Sequence, residues 1–232
     1  MIANYAGSNG AGSNPSLSQS LSTTNVIPDL TTELTAERLC AVLLGTAAES
    51  CPYRANFHLH TRCSDGQLTP EAIVDQAVDM GLEDLAITDH HNVTGYRRAF
   101  RRLQQLALSI DQIPRLWSGI EISALLLDVE VHILCYAFDP DAPVMQPYCQ
   151  GITVDGAAYR AKNVIAAAHQ AGGLAVLAHP SRYRRSPDDL IPEAARLDID
   201  GVETYYAYDN PIPWRPSPQQ TRTVQALGDT YG

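Results

Sequence analysis

From Arg54 onward the chain is written in strand-then-helix units, short β-type runs alternating with longer segments in which apolar residues recur every three or four positions. That rhythm restricts the fold to an α/β class in which helices cover a mostly parallel sheet. The first strand reads Ala55 to His60. Its helix opens at Thr69 with Pro70 at the first helical position and Glu71 beside the positive dipole end, presents Ile73, Val74, Ala77 and Val78, and stops at Gly81. A second strand, Leu85 to Thr88, runs into Asp89-His90-His91. The next helix carries Arg97, Arg98, Arg101 and Arg102 on its wet side and Phe100, Leu103 and Leu106 on its apolar side. Strands at Leu116 to Ile122 and Glu130 to Tyr136 are joined by too short a link for a helix, which predicts a hairpin or a tight crossover. A helix over Ala157 to Ala171 ends at Gly172-Gly173, and strand five, Leu174 to Ala178, ends in His179-Pro180. A helix near Asp188 to Leu197 leads to strand six, Gly201 to Tyr205, and Pro216 to Tyr231 holds one more amphipathic helix.

The segment before these units has a different character. Residues 1–30 are rich in Ser, Asn and Gly and poor in large apolar groups, which predicts a disordered tail. Residues 31–53 predict a short helix from Thr32 to about Leu44, capped by Thr31 or Thr32, and a linker. With 232 residues, 45% of them hydrophobic, the chain can bury one sizeable core, so residues 54–232 are expected to form one catalytic domain. A formal net charge of −10 leaves no broad basic face to neutralise a run of phosphates along a duplex. A small phosphorylated molecule or a nucleic-acid end suits such a chain better. The odd number of cysteines, with no C-x-x-C spacing, reads as reduced packing residues of a cytoplasmic protein. No apolar run approaches the roughly 18 residues of a membrane helix.

Parallel βα units bring their functional groups together where the loops converge, at the C-terminal ends of the strands. The candidates fall there in succession. His58 and His60 alternate around Leu59 on the first strand, so the two-residue period turns both imidazoles to one side. Asp65 lies in the loop beyond, His90 follows the second strand, Glu121 is late in the third, His132 is in the fourth and His179 ends the fifth. Each residue alone has an ordinary structural explanation, as a turn former, a surface histidine or a strand-end charge. Their joint placement predicts a mixed nitrogen and oxygen pocket suited to Zn, Mn or Fe, with no cysteine to make it a closed structural zinc centre. A carboxylate such as Glu121 can bridge two cations, the requirement of a two-metal hydrolytic site, and phosphate-ester hydrolysis is the matching reaction. Asp89 is expected to orient an imidazole, His91 to lie behind the site or at the surface, and His169 to be exposed or packed on a helix.

The motifs F-H-L-H-T-R-C-S-D-G at 57–66, I-T-D-H-H at 87–91, G-I-E-I-S at 119–123, V-H-I-L-C-Y at 131–136 and L-A-H-P-S-R-Y at 177–183 resemble the PHP (polymerase and histidinol phosphatase) superfamily, and most closely its stand-alone bacterial phosphoesterases. The likeness runs from about residue 54 to the C-terminus. It implies a distorted (β/α)7 TIM-like barrel holding two or three divalent ions. By the resemblance His58, His60 and Glu121 hold the first ion, Glu121, His132 and His179 the second, and Asp65 with His90 the third. Catalysis would centre on a water activated between Glu121 and His132, and Arg182 would grip a substrate phosphate, with Arg184 and Arg185 close enough to share the task. The family's final strand carries an Asp-x-His pair that residues up to Gly232 do not contain. The resemblance therefore implies a domain lacking its last strand, with only two protein ligands for the third ion and an exposed sheet edge.

The function implied is hydrolysis of phosphate esters in nucleotides or short oligonucleotides, as in a 3′,5′-nucleoside bisphosphate phosphatase or a 5′-3′ exonuclease. Two alternatives stand beside it: a histidinol-phosphate phosphatase using the same metal site, and a non-catalytic metal-binding module.

Overall fold

The structure, a computed structural model, describes residue 30, residues 34–110 and residues 112–232. The tail expected at 1–30 lies, Leu30 apart, outside the described residues. The N-terminal helix is α1, Ala36–Leu44, and its cap is Thr35, whose hydroxyl accepts from Arg38 N at 3.3 Å. Thr31 and Thr32, the caps expected from the sequence, lie outside the described residues.

Two sheets follow. The first has the order β1 (Ala55–Leu59), β2 (Asp84–Ile87), β3 (Arg115–Trp117), all parallel. Its crossover helices are α2 (Pro70–Met80) and α3 (Thr94–Leu106). In α2 the Thr69 side chain caps Ala72 N, Pro70 starts the first turn and Gly81 ends it in the left-handed conformation, as the sequence predicts. Three of the four arginines of α3 are tied down: Arg97 pairs with Asp141, Arg98 with Glu71 and Arg102 with Asp75, each at 2.7 Å.

The second sheet has the order β4 (Gly119–Leu126), β5 (Val129–Tyr136), β6 (Leu174–Leu177), β7 (Gly201–Val202). Here the sequence reading needs correction. The single third strand expected at 116–122 is broken at Ser118: β3 stays in the first sheet and β4 begins the second. Gly119 makes the break possible, because a Cβ there would stand 2.5 Å from the Ile87 carbonyl oxygen. The β4–β5 pair is an antiparallel hairpin and β5–β6 is antiparallel too, so only β6–β7 repeats the parallel βα pattern. The helices on this sheet are α4 (Ala161–Gln170) and α5 (Pro187–Arg196), with α6 (Pro218–Tyr231) packed on α5. Helix α4 starts later than Ala157 because Tyr159 and Arg160 run beside β4 instead, Leu125 N donating to Tyr159 O at 2.6 Å.

Among the described residues the two sheets do not close into one ring. They touch through an isolated bridge between His90 and Glu121, and they share an interior. Phe57, Ala86 and Trp117 of the first sheet pack with Leu134, Tyr136 and Val176 of the second, and Leu39 of α1 is fully buried among them. The Tyr136 hydroxyl crosses the gap to donate to Phe57 O at 2.9 Å. The architecture is α/β, with apolar helix-to-sheet layers outside both sheets and a polar site at one end of the shared interior.

Candidate metal centre

Every candidate drawn from the sequence lines one cavity of about 340 Å3: His58, His60, Asp65, His90, Glu121, His132 and His179, together with Arg182. His58 lies on β1, while His60, His90 and His179 lie just past the ends of β1, β2 and β6. Glu121 and His132 reach the cavity differently. They sit inside the β4–β5 hairpin, where Glu121 pairs with Leu134 and Ser123 with His132, which makes them diagonal neighbours on one face. The loop after β1 doubles back at Gly66, whose N donates to Thr61 O at 2.9 Å. A Cβ at Gly66 would stand 2.1 Å from the His60 carbonyl oxygen, so the turn that presents Asp65 needs glycine there.

Glu121 is the hub, its side chain only 1% exposed. Its Oε2 faces His58 Nε2 at 3.1 Å, His60 Nε2 at 3.0 Å and His90 Nε2 at 3.6 Å. Its Oε1 faces His132 Nδ1 at 2.8 Å and His179 Nε2 at 3.2 Å. Asp65, the exposed member, stands 3.1 Å from His60 Nδ1 and 3.8 Å from His90 Nε2. The first of these is an ion-pair distance without hydrogen-bond alignment, for His60 Nδ1 has no hydrogen-bond partner among the described residues. Burial alone would raise the Glu121 carboxyl, but the imidazoles of His58, His132 and His179 outweigh it and hold Glu121 well below the usual carboxylate range.

This donor set fits divalent cations. His58 Nε2 and His60 Nε2 stand 3.1 Å apart while both face one carboxylate oxygen. Two imidazole nitrogens in that position repel if both carry protons or both carry lone pairs, and without a cation one must donate to the other. Three donors separated by about 3 Å are spaced like neighbouring vertices around a cation some 2.1 Å from each. His179 Nδ1 is in addition buried without a hydrogen-bond partner among the described residues. Three groups of donors lie close enough to share an ion: His58, Glu121 and His179; His60, Asp65 and His90; and His90, Glu121 and His132.

The residues behind the donors were partly misjudged from sequence. Asp89 orients no imidazole. Fully buried, it accepts from Thr61 N at 2.6 Å, Thr61 Oγ1 at 2.7 Å and Ser64 Oγ at 2.7 Å, and so fastens the loop that carries Asp65. His91 is buried in the left-handed conformation at φ 49°; its N donates to Glu121 O at 3.0 Å and its Nε2 accepts from Ser123 N at 3.1 Å. The ring thus stands where a neighbouring strand's carbonyl would be and holds β4 against the end of β2. His169 pairs with Asp200 at 2.7 Å, away from the cavity. Arg185 is drawn to Asp128 at 2.7 Å, whereas Arg182 lines the cavity and donates to the Tyr206 hydroxyl at 3.3 Å.

Glu203, which follows β7, was not singled out in the sequence. Its Oε1 accepts from His58 Nδ1 at 2.8 Å and its Oε2 accepts from His179 N at 2.8 Å. An ionised carboxylate only accepts, so His58 keeps a proton on Nδ1, and Nε2 is the nitrogen left to face a cation. Burial opposes charge on His58, but Glu203 and Glu121 together prevail and, with no cation bound, push its pKa up to about 10. Tyr183 supports the neighbouring donors, accepting from His132 N at 2.7 Å and donating to Ala178 O at 3.2 Å.

A buried carboxylate ringed by imidazoles, set in an α/β fold, is a donor group that could hold divalent cations. The profile of the PHP domain matches residues 56–206, and the chain belongs to that family. Among curated proteins, 5′-3′ exoribonuclease Rnm of Escherichia coli is 39% identical over 90 residues, 39% of this chain and 29% of that protein. The 3′,5′-nucleoside bisphosphate phosphatase of Chromobacterium violaceum is 32% identical over 117 residues, 50% of this chain and 39% of that protein. The chain thus matches 29% to 39% of the length of these relatives. The crystal structure of a metal-dependent phosphoesterase from Bifidobacterium adolescentis aligns with a TM-score of 0.60 at 22% identity, over 78% of this chain and 85% of that one. An amidohydrolase from Chromobacterium violaceum with bound sulfate and no metal aligns with a TM-score of 0.63 at 20% identity, over 77% and 84%. These two share the fold.

Proposed function

We propose that the chain is a metal-dependent phosphoester hydrolase acting on nucleotides or on the ends of short oligonucleotides. The observation that carries this reading is the Glu121 carboxylate, which meets His58 and His60 through one oxygen and His132 and His179 through the other, in a cavity that also holds Arg182. Likeness to the exoribonuclease and the nucleoside bisphosphate phosphatase supports the substrate class.

We assign His58, His60 and Glu121 to a first cation, Glu121, His132 and His179 to a second, and Asp65 with His90 to a third, with manganese, zinc or iron matching the donor types. Cations held there supply Lewis acidity and lower the pKa of water at the site. The chain's own groups do the rest. Glu121 and His132 fix the side from which water attacks phosphorus. Glu203 keeps the proton on His58 Nδ1 and anchors the His179 backbone. The Arg182 guanidinium, braced on the Tyr206 hydroxyl, takes non-bridging phosphate oxygens.

The same reading makes residues 31–53 a helix and linker ahead of a phosphoesterase domain at 54–232, and takes the two sheets, packed around one interior, as arcs of a distorted (β/α)7 barrel. It places the protein in the cytoplasm; no helix among the described residues is long and apolar enough to cross a membrane.

The test is a substrate panel run on the full chain with added manganese: adenosine 3′,5′-bisphosphate, 5′-phosphorylated oligoribonucleotides and histidinol phosphate. Turnover of the nucleotides is expected. Turnover of histidinol phosphate alone would move the assignment to that phosphatase, and metal binding with no turnover of any nucleotide would overturn the proposal.

A further inference from the structure

One wall of the cavity has no part in holding cations. Tyr206, Asn210 and Trp214 line it beside Arg182. All three belong to the segment between β7 and α6, which is closed at its base around the buried Ser217: Ser217 N donates to Tyr206 O at 2.9 Å and Tyr208 N donates to Ser217 Oγ at 3.0 Å. Residues 207–216 are thus a loop with tied ends that carries Asn210 and Trp214 to the cavity. Tyr206 is held on its other side as well. Its ring centre lies 5.1 Å from that of His179, 6.2 Å from that of His58 and 4.9 Å from that of Tyr208. Tyr208 is itself pinned, its hydroxyl accepting from Ser181 N at 3.2 Å. The guanidinium fit to hold a phosphate therefore adjoins a fixed aromatic ring, and a second aromatic residue lines the same cavity.

A phosphate binder next to aromatic surface and a side-chain amide matches a phosphorylated ligand that ends in a flat, hydrogen-bonding heterocycle. A bare sugar phosphate offers that surface a smaller, non-planar face and no base edge for the amide. We propose that Tyr206 and Trp214 form a stacking wall for a nucleobase, with the Asn210 amide turned to the base edge, so that the site selects base-bearing phosphates over bare sugar phosphates. The inference rests on the phosphoesterase reading and sharpens it. Stacking of one base on aromatic side chains corresponds to about ten- to a hundredfold in affinity.

The chain contains two tryptophans, and Trp117 is fully buried with its Nε1 donating to Asp84 at 2.8 Å, so a fluorescence change on ligand binding reports Trp214. The full chain is titrated with adenosine 5′-monophosphate and with ribose 5-phosphate. The expected result is quenching by the nucleotide with a Kd at least tenfold tighter than that of ribose 5-phosphate. Trp214→Ala should lose the quench and reduce the nucleotide's advantage about tenfold or more, measured by competition, and Trp214→Phe should restore most of the advantage. Equal affinity of the wild-type chain for the two phosphates would overturn the wall, whatever the variants do. Turnover of the nucleotide panel without that preference removes the wall and leaves the phosphoesterase. Selective quenching in a chain that hydrolyses none of the panel keeps the wall and removes the phosphoesterase.

Discussion

Replacing Glu203 with glutamine separates a residue that orients the centre from the residues that form it. In the native protein each carboxylate oxygen takes one donor at 2.8 Å, His58 Nδ1 on one side and His179 N on the other, and the group is mostly buried. Glutamine keeps the shape but offers one oxygen and one NH2, so either the His179 N–H faces another donor or the His58 proton moves to Nε2, the nitrogen turned to the cavity. A buried hydrogen bond lost in this way costs about 1–3 kcal/mol. Losing the partner that fixes a ligating imidazole typically lowers metal affinity about 10- to 100-fold, or about 1.4–2.7 kcal/mol, and the two ranges agree. The assay is calorimetric titration of manganese into metal-stripped wild-type and Glu203→Gln protein, with thermal unfolding of both stripped forms as the check on folding. Asp128→Asn, which loosens the exposed partner of Arg185, serves as the control for removing a carboxylate elsewhere. Affinity of Glu203→Gln within twofold of wild type would refute the claim that Glu203 sets the His58 tautomer and anchors His179.

Three further outcomes follow from the same geometry. Glu121→Gln removes the charge that faces the imidazoles of His58, His60, His132 and His179, and should lower both bound-metal content and phosphoesterase turnover by more than about a hundredfold; turnover near wild type would reject this site. Because His58 carries its proton up to about pH 10 when no cation is bound, a cation must displace that proton. Manganese affinity at the first site should therefore rise about tenfold per pH unit between pH 6 and 8, with release of about one proton for the ion that His58 holds, whereas a flat profile would contradict the assignment of His58 as a ligand. Asp89→Asn should cost about 1–3 kcal/mol, because the charge that strengthens the bonds from Thr61 and Ser64 is lost, and should lower the unfolding midpoint by several degrees; an unchanged midpoint would contradict the role given to Asp89.

The seven side chains that line the cavity were legible because their signal is local: the two-residue period aims His58 and His60 together, and the strand-end rule picks out His90 and His179. The hairpin that carries Glu121 and His132 was one of the two arrangements the short link allowed, but the break at Ser118 that starts its first strand was not foreseen. Whether the run from Leu116 stays one strand or breaks at Ser118 into two sheets depends on contacts such as the approach of Ile87 to Gly119, which no local pattern encodes. Glu203 satisfied the rule that found His179, since it follows a parallel strand, and was passed over because a single acidic residue there carries no motif. Asp89 was assigned by proximity to His90, whereas its carboxylate turns to Thr61 and Ser64, a contact across the strand order. The aromatic wall was equally silent, because Tyr206 and Trp214 meet the cavity only once Ser217 closes the loop between them.

Anomalous diffraction from crystals of the full chain grown with manganese addresses the central claim directly. The account predicts anomalous peaks about 2.0–2.3 Å from the Glu121 carboxylate oxygens, with His58 and His60 on one flank and His132 and His179 on the other. A Glu121 carboxylate with no peak in reach, or manganese bound only elsewhere on the protein, would contradict it.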